Sequence, residues 1–476
     1  MQTMMTRGAA AGLLLALLGG CASLAPDYRQ PELPVPAGFT NQVSDGYASA
    51  AKSVNELQAN TLDENAWRQW FADPALQATI AKALANNRDW RIAMLNVEKA
   101  RAQYGIAAAD RWPTLSADGS GTHQRRPADN GGQPQVSHDY AAVVGISGFE
   151  LDLFGRVRNL SDAAWRSYQA SGEVERSARL SLIANVANGW YALAAEQERL
   201  KVAEATLASR RDTQKLIERR FAAGISGELE LREAQTQAET AAVDVERYRT
   251  QVAQARNALQ LLVGAPVEAT SLPAGWQDRA VPGVPPVPGN LASDVLLARP
   301  DVREAEQRLR AADANIGAAR AAFFPRITLT ANAGAASSEL SQLFQAGSGS
   351  WLFMPQISLP IFDGGRNQSN LDAAKADREL AVASYEKAVQ TGFREVADGL
   401  AQIDGDAGQL AAQARVLAAS GQALKLAQAR FEKGVAGYLD VLIAQRSHYS
   451  AQLVQIALQQ QQAANQIGLY KALALY

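Results

Sequence analysis

Cysteine occurs once in the 476 residues, at Cys21, so no disulfide can form within the chain. Histidine and methionine are almost as scarce. His123, His138 and His448 are scattered, and three of the five methionines, Met1, Met4 and Met5, fall at the very start. Soft-metal export therefore finds no support in composition. His123 and His138 can approach each other across one hairpin, but read as an ordinary loop pair. A formal net charge of -2 gives no reason to expect nucleic acid as a partner. No phosphate-cradling glycine loop and no zinc-type motif is present, so neither an enzyme nor a cofactor is expected. Beyond the N-terminus, long apolar runs are broken by charges, glycine or proline. If the mature chain enters a bilayer, it must do so as strands closed into a barrel.

The first residues read as a targeting segment. Arg7 supplies positive charge, and Ala9 to Leu18 form an apolar run of about ten residues, too short to span a bilayer. Leu18, Gly19, Gly20 and Cys21 follow. This resembles a bacterial lipobox, in which the cysteine takes a lipid and becomes the mature N-terminus; the plain alternative is a signal peptide with an incidental cysteine. Residues 1–20 are thus expected to be removed and 21–66 to form a lipidated N-terminal segment.

The rest of the chain repeats itself. Ala102, Gly105, Ala107, Pro113 and Leu115 match Ala314, Gly317, Ala319, Pro325 and Ile327 at one offset. Gly155, Arg156, Asp162 and Ala163 match Gly365, Arg366, Asp372 and Ala373. Arg220, Phe221, Gly224, Ile225, Gly227, Leu229 and Glu230 match Arg430, Phe431, Gly434, Val435, Gly437, Leu439 and Asp440. Two copies of one unit are expected, at 67–263 and 299–476, joined by a proline-rich strap at 264–298.

Each unit reads helix, strand, strand, long helix, tight turn, helix. Ile327, Leu329, Ala331 and Ala333 alternate with Thr328, Thr330 and Asn332; Phe353, Ile357, Leu359 and Ile361 oppose Gln356 and Ser358. Such period-2 rows are strands, and the stretches 125–135 and 335–350 between them read as loops. No proline interrupts the roughly 65 residues from Gly155 to Gly224, nor those from Gly365 to Gly434, enough for helices about 100 Å long. Segments of about 36 residues, Pro74 to Asp110 and Gly227 to Val263, read as the shorter helices.

Four strands cannot close a transmembrane barrel, and an open edge in lipid leaves backbone groups unsatisfied at several kcal/mol each. The chain is therefore expected to oligomerise. A dimer gives eight strands and a nearly filled lumen; a trimer gives twelve and a pore.

These residues resemble the TolC-type outer-membrane efflux channels, in particular their lipoprotein branch. The likeness rests on Pro26, Tyr28 and Pro31; on Trp67, Trp70, Phe71, Asp73, Pro74 and Leu76; on Pro113 and Pro325; on Arg299, Pro300 and Asp301; and on Phe362, Asp363, Gly364, Gly365 and Arg366. The resemblance implies an α+β membrane protein: a trimer whose 12-stranded β-barrel continues into a long periplasmic α-helical barrel. It implies an outer-membrane location in a Gram-negative cell, an N-acyl diacylglycerol lipid on Cys21, and two partners, a periplasmic adaptor and an inner-membrane pump. The chain would be the exit duct of a tripartite efflux pump for small toxic compounds. A duct for type I protein secretion, and a non-channel coiled-coil lipoprotein, are the other classes.

By the same resemblance, Arg220, Phe221, Gly224, Ile225, Gly227, Arg430, Phe431, Gly434, Val435 and Gly437 lie at the adaptor-docking tip. Leu439, Asp440 and Glu230 form the periplasmic gate. Relatives close this end with aspartate and hydrophobic rings; where some have aspartate after the turn this chain has Ala436, and Asp440 is expected to replace it. The alternative for the carboxylates is a solvated helix surface, and for the glycines a purely structural turn.

Overall fold

A computed structural model describes residues 23–39, 67–127, 135–273, 275–276 and 291–474. The signal segment and Cys21 lie outside these residues, as do residues 40–66, residues 274 and 277–290 of the strap, and part of the first strand-to-strand loop. The elements in chain order are α1 (Trp67–Trp70), α2 (Pro74–Asn86), α3 (Arg88–Ala109), β1 (Leu115–Arg126), β2 (Gln135–Glu150), α4 (Arg156–Ala222), α5 (Glu228–Val263), α6 (Pro300–Ala321), β3 (Arg326–Ser337), β4 (Gly349–Ser358), α7 (Arg366–Glu432) and α8 (Tyr438–Ala472). Helices α4 and α7 have 67 residues each. No helix among the described residues is long and apolar enough to cross a membrane.

The residues group into two compact units. The first (1–32, 96–172, 304–385) holds one antiparallel sheet in the order β1-β2-β3-β4. The register sets Leu115 opposite Ile146, Ile146 opposite Ala331 and Ala331 opposite Phe353. One face therefore carries Leu115, Ala117, Val144, Ala333, Trp351 and Ile357, while Ser116, Asp118, Thr328, Asn332 and Gln356 occupy the other. Neither edge strand contains a buried residue. Gly145 and Gly334 let β2 and β3 lie together: a Cβ at Gly334 would meet the Ala142 carbonyl oxygen at 2.1 Å. A bulge between Ile146 and Phe149 carries Gly148 at φ 64°, the left-handed geometry such irregularities favour.

At the foot of the sheet, Phe154 stacks on Phe324 at 4.7 Å. The segment after residue 22 is tied down beside it. Ser23 Oγ donates to Asn159 Oδ1 at 2.7 Å, Arg320 Nη1 donates to the Leu24 carbonyl at 2.9 Å, and the Tyr28 hydroxyl donates to Glu306 at 2.8 Å. Gly317 makes room for this path, since a Cβ there would lie 2.7 Å from the Ala25 nitrogen.

The second unit (33–95, 173–303, 386–476) holds the larger core. Trp70 and Phe71 each meet the Tyr470 ring edge-on at 5.4 Å, and Trp190 is fully buried with its Nε1 donating to the Ser271 carbonyl at 3.2 Å. Asp73 caps α2 by accepting from the Ala75 and Leu76 amides, with Pro74 at the first position. Arg299, 6% exposed, donates to Asp301, Glu395 and the Ala472 carbonyl.

Three sequence expectations change. The segment Pro74 to Asp110 is two helices. Asn87 sits between them at φ -64°, ψ 135°, donating through Nδ2 to the Leu262 carbonyl at 2.7 Å and accepting from the Trp90 amide at 2.8 Å. Leu359 and Ile361 are not in a strand: β4 ends at Ser358, because Pro360 has no amide to extend the ladder. The loop expected at 335–350 is shorter, since β3 runs to Ser337 and β4 starts at Gly349.

Candidate functional site: the two helix-hairpin turns

Both turns lie in the second unit and use one backbone device. Helix α4 ends as the Gly224 amide donates to the Phe221 carbonyl at 2.9 Å and the Ile225 amide to the Arg220 carbonyl at 2.8 Å. At the end of α7 the Gly434 amide donates to Phe431 at 3.0 Å and the Val435 amide to Arg430 at 2.9 Å. Gly224 at φ 73° and Gly434 at φ 71° take the left-handed conformation that a β-carbon disfavours.

Gly227 and Gly437 differ from that pattern. Both are extended N-caps, at φ -80° and -75°, and a Cβ at either would meet nothing within 4 Å. The chain's own geometry does not require glycine there.

Side chains make the turns unlike. Phe431 is 6% exposed and packs with Ile217, Ala234, Tyr438, Val441 and Leu442, while Phe221 is 41% exposed. The Arg220 guanidinium lies 4.9 Å over the Phe431 ring, and its Nε donates to Ser226 Oγ at 3.3 Å. Phe431 and Arg220 thus build the packing beneath the tip. Ile225, Val435 and Leu439 stay exposed, as do Gly224, Gly227, Arg430, Gly434, Gly437 and Asp440; Glu230 is half-buried. Neither Asp440 nor Glu230 makes an ion pair among the described residues.

Further along the helices lies a polar cluster that sequence reading missed. Arg210 is 5% exposed, donates to the Gln237 carbonyl at 3.0 Å and stands 5.6 Å over the Tyr449 ring. The Tyr449 hydroxyl donates to Asp244 at 3.0 Å, and Asp244 pairs with Arg247 at 2.9 Å. Burial lowers the Arg210 guanidinium pKa against the opposing pull of Tyr449 and Asp244, and burial raises the Tyr449 phenol, with the Asp244 carboxylate adding to it. Burial also pushes the Tyr438 phenol up to about 12. In the second half Ser420 stands where the first has Arg210, and it bonds His448 Nδ1 at 3.1 Å.

A sequence model of the outer membrane efflux protein family matches residues 79–265 and again 291–475. The chain is 43% identical over 465 residues to the probable efflux pump outer membrane protein TtgC of Pseudomonas putida, covering 96% of this chain and 93% of that one. It is 41% identical over 469 residues to the outer membrane protein OprJ of Pseudomonas aeruginosa, covering 97% and 94%. Its structure is similar to the open state of the Neisseria gonorrhoeae MtrE outer membrane channel, with a TM-score of 0.81 at 38% identity over 95% of this chain and 98% of that one. These matches define the class as outer-membrane channels with mixed helices and strands. The chain belongs to the outer membrane efflux protein family, and its place is the Gram-negative outer membrane.

Proposed function

We propose that three copies of this chain close a 12-stranded barrel that continues into a helical tunnel, the outer-membrane exit duct of a tripartite efflux pump. The observation that carries this is the open sheet: four antiparallel strands with a continuous apolar face and two unpaired, unburied edges, β1 and β4. Such edges are untenable in lipid. Because β1 and β4 run in opposite directions, a neighbour's β1 added beside β4 continues the antiparallel pattern, and closure needs only enough copies to open a lumen. Trp112, Phe323 and Phe362, exposed at the strand feet, supply the aromatic belt expected at a membrane interface.

The duct performs no chemistry; it conducts. Lipidation of Cys21 after loss of residues 1–20 is supported by the fixed path of Ser23 to Tyr28 at the foot of the sheet. A relative in Salmonella typhimurium, 38% identical over 460 residues, is described as a probable outer membrane lipoprotein. The two repeats are 67–263 and 299–476, consistent with the doubled family match. The turns at Gly224–Gly227 and Gly434–Gly437 receive the periplasmic adaptor, which links the duct to an inner-membrane pump. Support comes from exposed Ile225 and Val435 and from Gly227 and Gly437, bare backbone that the fold itself does not need. Leu439, Asp440 and Glu230 form the gate. Small toxic compounds are the cargo, by analogy with relatives described as toluene and antibiotic efflux components.

Native mass spectrometry of the detergent-extracted protein is the test. The expected species is three chains, each heavier than residues 21–476 by a diacylglycerol and an acyl group. A folded monomer or dimer would overturn the barrel, and an unmodified Cys21 the anchor.

A further inference from the structure

The register of the β1–β2 hairpin sets His123 directly opposite His138. Their Nδ1 atoms lie 2.5 Å apart and the rings meet edge-to-face at 4.6 Å. Both side chains are exposed. Tyr140, two residues along β2 on the same face, places its hydroxyl 3.3 Å from His123 Nε2. It reaches that far because Gly121 lies opposite it; a Cβ at Gly121 would press on the Tyr140 ring at 3.3 Å. Two nitrogens that close can share a single proton. When His123 Nε2–H donates to the Tyr140 hydroxyl, His123 Nδ1 has a free lone pair and accepts from His138 Nδ1–H; when His138 carries its hydrogen on Nε2 instead, the Nδ1 lone pairs of two neutral rings are both free.

We propose that His123 and His138 chelate a divalent transition-metal ion of the copper(II) type, each through Nδ1, with water completing the shell. Two cis imidazole ligands at about 2.0 Å from a metal have nitrogens about 2.9 Å apart, so the pair needs to open by only about 0.4 Å. No group of three or more histidine, cysteine, aspartate or glutamate residues among the described residues can hold a metal. The site is therefore a two-nitrogen one, which favours the tetragonal N,O geometry and the top of the Irving–Williams order over a closed zinc shell. Binding replaces the Nδ1–H···Nδ1 hydrogen bond with two Nδ1–metal bonds, each ring keeping its one hydrogen on Nε2. Arg125 lies two residues further along the same face of β1 and opposes a cation. Glu339 lies two residues past the end of β3, and its carboxylate accepts from Gln342 at 2.9 Å. The bound ion ties the two strands at the outer end of the hairpin, on the face that carries the apolar row.

Copper(II) alone is the probe, added to the full-length protein in detergent and followed by electron paramagnetic resonance and titration calorimetry. The expected result is one ion per chain with two nitrogen ligands. Affinity should drop at least about tenfold in His123→Asn and in His138→Asn. Tyr140→Phe should retain the two-nitrogen signal. His448, held by Ser420 elsewhere in the chain, serves as the internal control: His448→Asn should leave stoichiometry unchanged. Spectra showing a single nitrogen ligand, or binding that survives His123→Asn and His138→Asn together, would overturn the chelate. Oligomer mass in each variant reports folding independently of the metal.

Discussion

The two helix-hairpin turns make an internal controlled experiment. Arg220–Phe221 and Arg430–Phe431 enter turns of the same hydrogen-bond pattern, pivoting on glycines at φ 73° and 71°. Yet one phenylalanine is exposed and the other buried. The difference lies one residue past each second glycine: Glu228 begins α5, and Tyr438, 2% exposed, begins α8. Tyr438 meets Phe431 at 5.8 Å and roofs the cluster with Val441 and Leu442. Glu228 instead faces solvent and pairs with Arg232 at 3.1 Å. Backbone chemistry fixes where the chain reverses; one side chain decides which turn anchors the tip and which stays free.

The largest expected effect separates the phenylalanines. Phe431→Ala empties a buried ring site and should destabilise the helical unit by about 3–5 kcal/mol, whereas Phe221→Ala should stay within about 1 kcal/mol. Denaturant unfolding of the detergent-solubilised protein, followed by circular dichroism, reads both. Equal losses would break the asymmetry.

A smaller effect comes from titrating the roof. Tyr438 has a folded pKa near 12, above the ordinary phenol value of 10. Between these values the unfolded chain has lost the phenolic proton and the folded chain retains it, so the unfolded state binds fewer protons and stability falls as pH rises. The contribution is intact below pH 10 and is lost toward pH 12, at no more than about 1.4 kcal/mol per pH unit. Tyr438→Phe keeps the ring and should flatten the descent relative to wild type in the same unfolding assay. Parallel pH profiles would mean the phenol is not the group responsible.

How much of this was legible beforehand follows from the range of each interaction. Proline-free stretches bounded by glycine announce α4 and α7, because local rules alone decide them. The pivots Gly224 and Gly434 are visible for the same reason. The break at Asn87 is not: the helical pattern runs through it, and its amide is held by the carbonyl of Leu262, far along the chain. The alternation through Leu359 and Ile361 hides the strand end, which only the amide missing at Pro360 reveals. Arg210, Asp244 and Tyr449 come from three helices, so no spacing joins them. The His123–His138 contact depends on strand register, which the long polar loop between the strands leaves open to sequence reading.

The smallest effect on stability carries the sharpest functional content. Asp440 lies on the exposed side of the first turn of α8, next to Leu439 at 60% exposure, while buried Tyr438 and Val441 hold that turn in place. A carboxylate so placed costs the fold little to remove, and Asp440→Ala should change stability by no more than about 0.5 kcal/mol. If three copies ring a constriction, the same change removes three negative charges from the conducting path. Cation selectivity should then weaken and conductance shift in planar bilayers. Glu230→Ala, on the half-buried counterpart beside the free turn, should produce the smaller change of the two. Unaltered conductance and selectivity in Asp440→Ala would return this carboxylate to the status of a solvated helix residue and move the gate elsewhere along the helices, with the Arg210–Tyr449–Asp244 cluster the next group to vary.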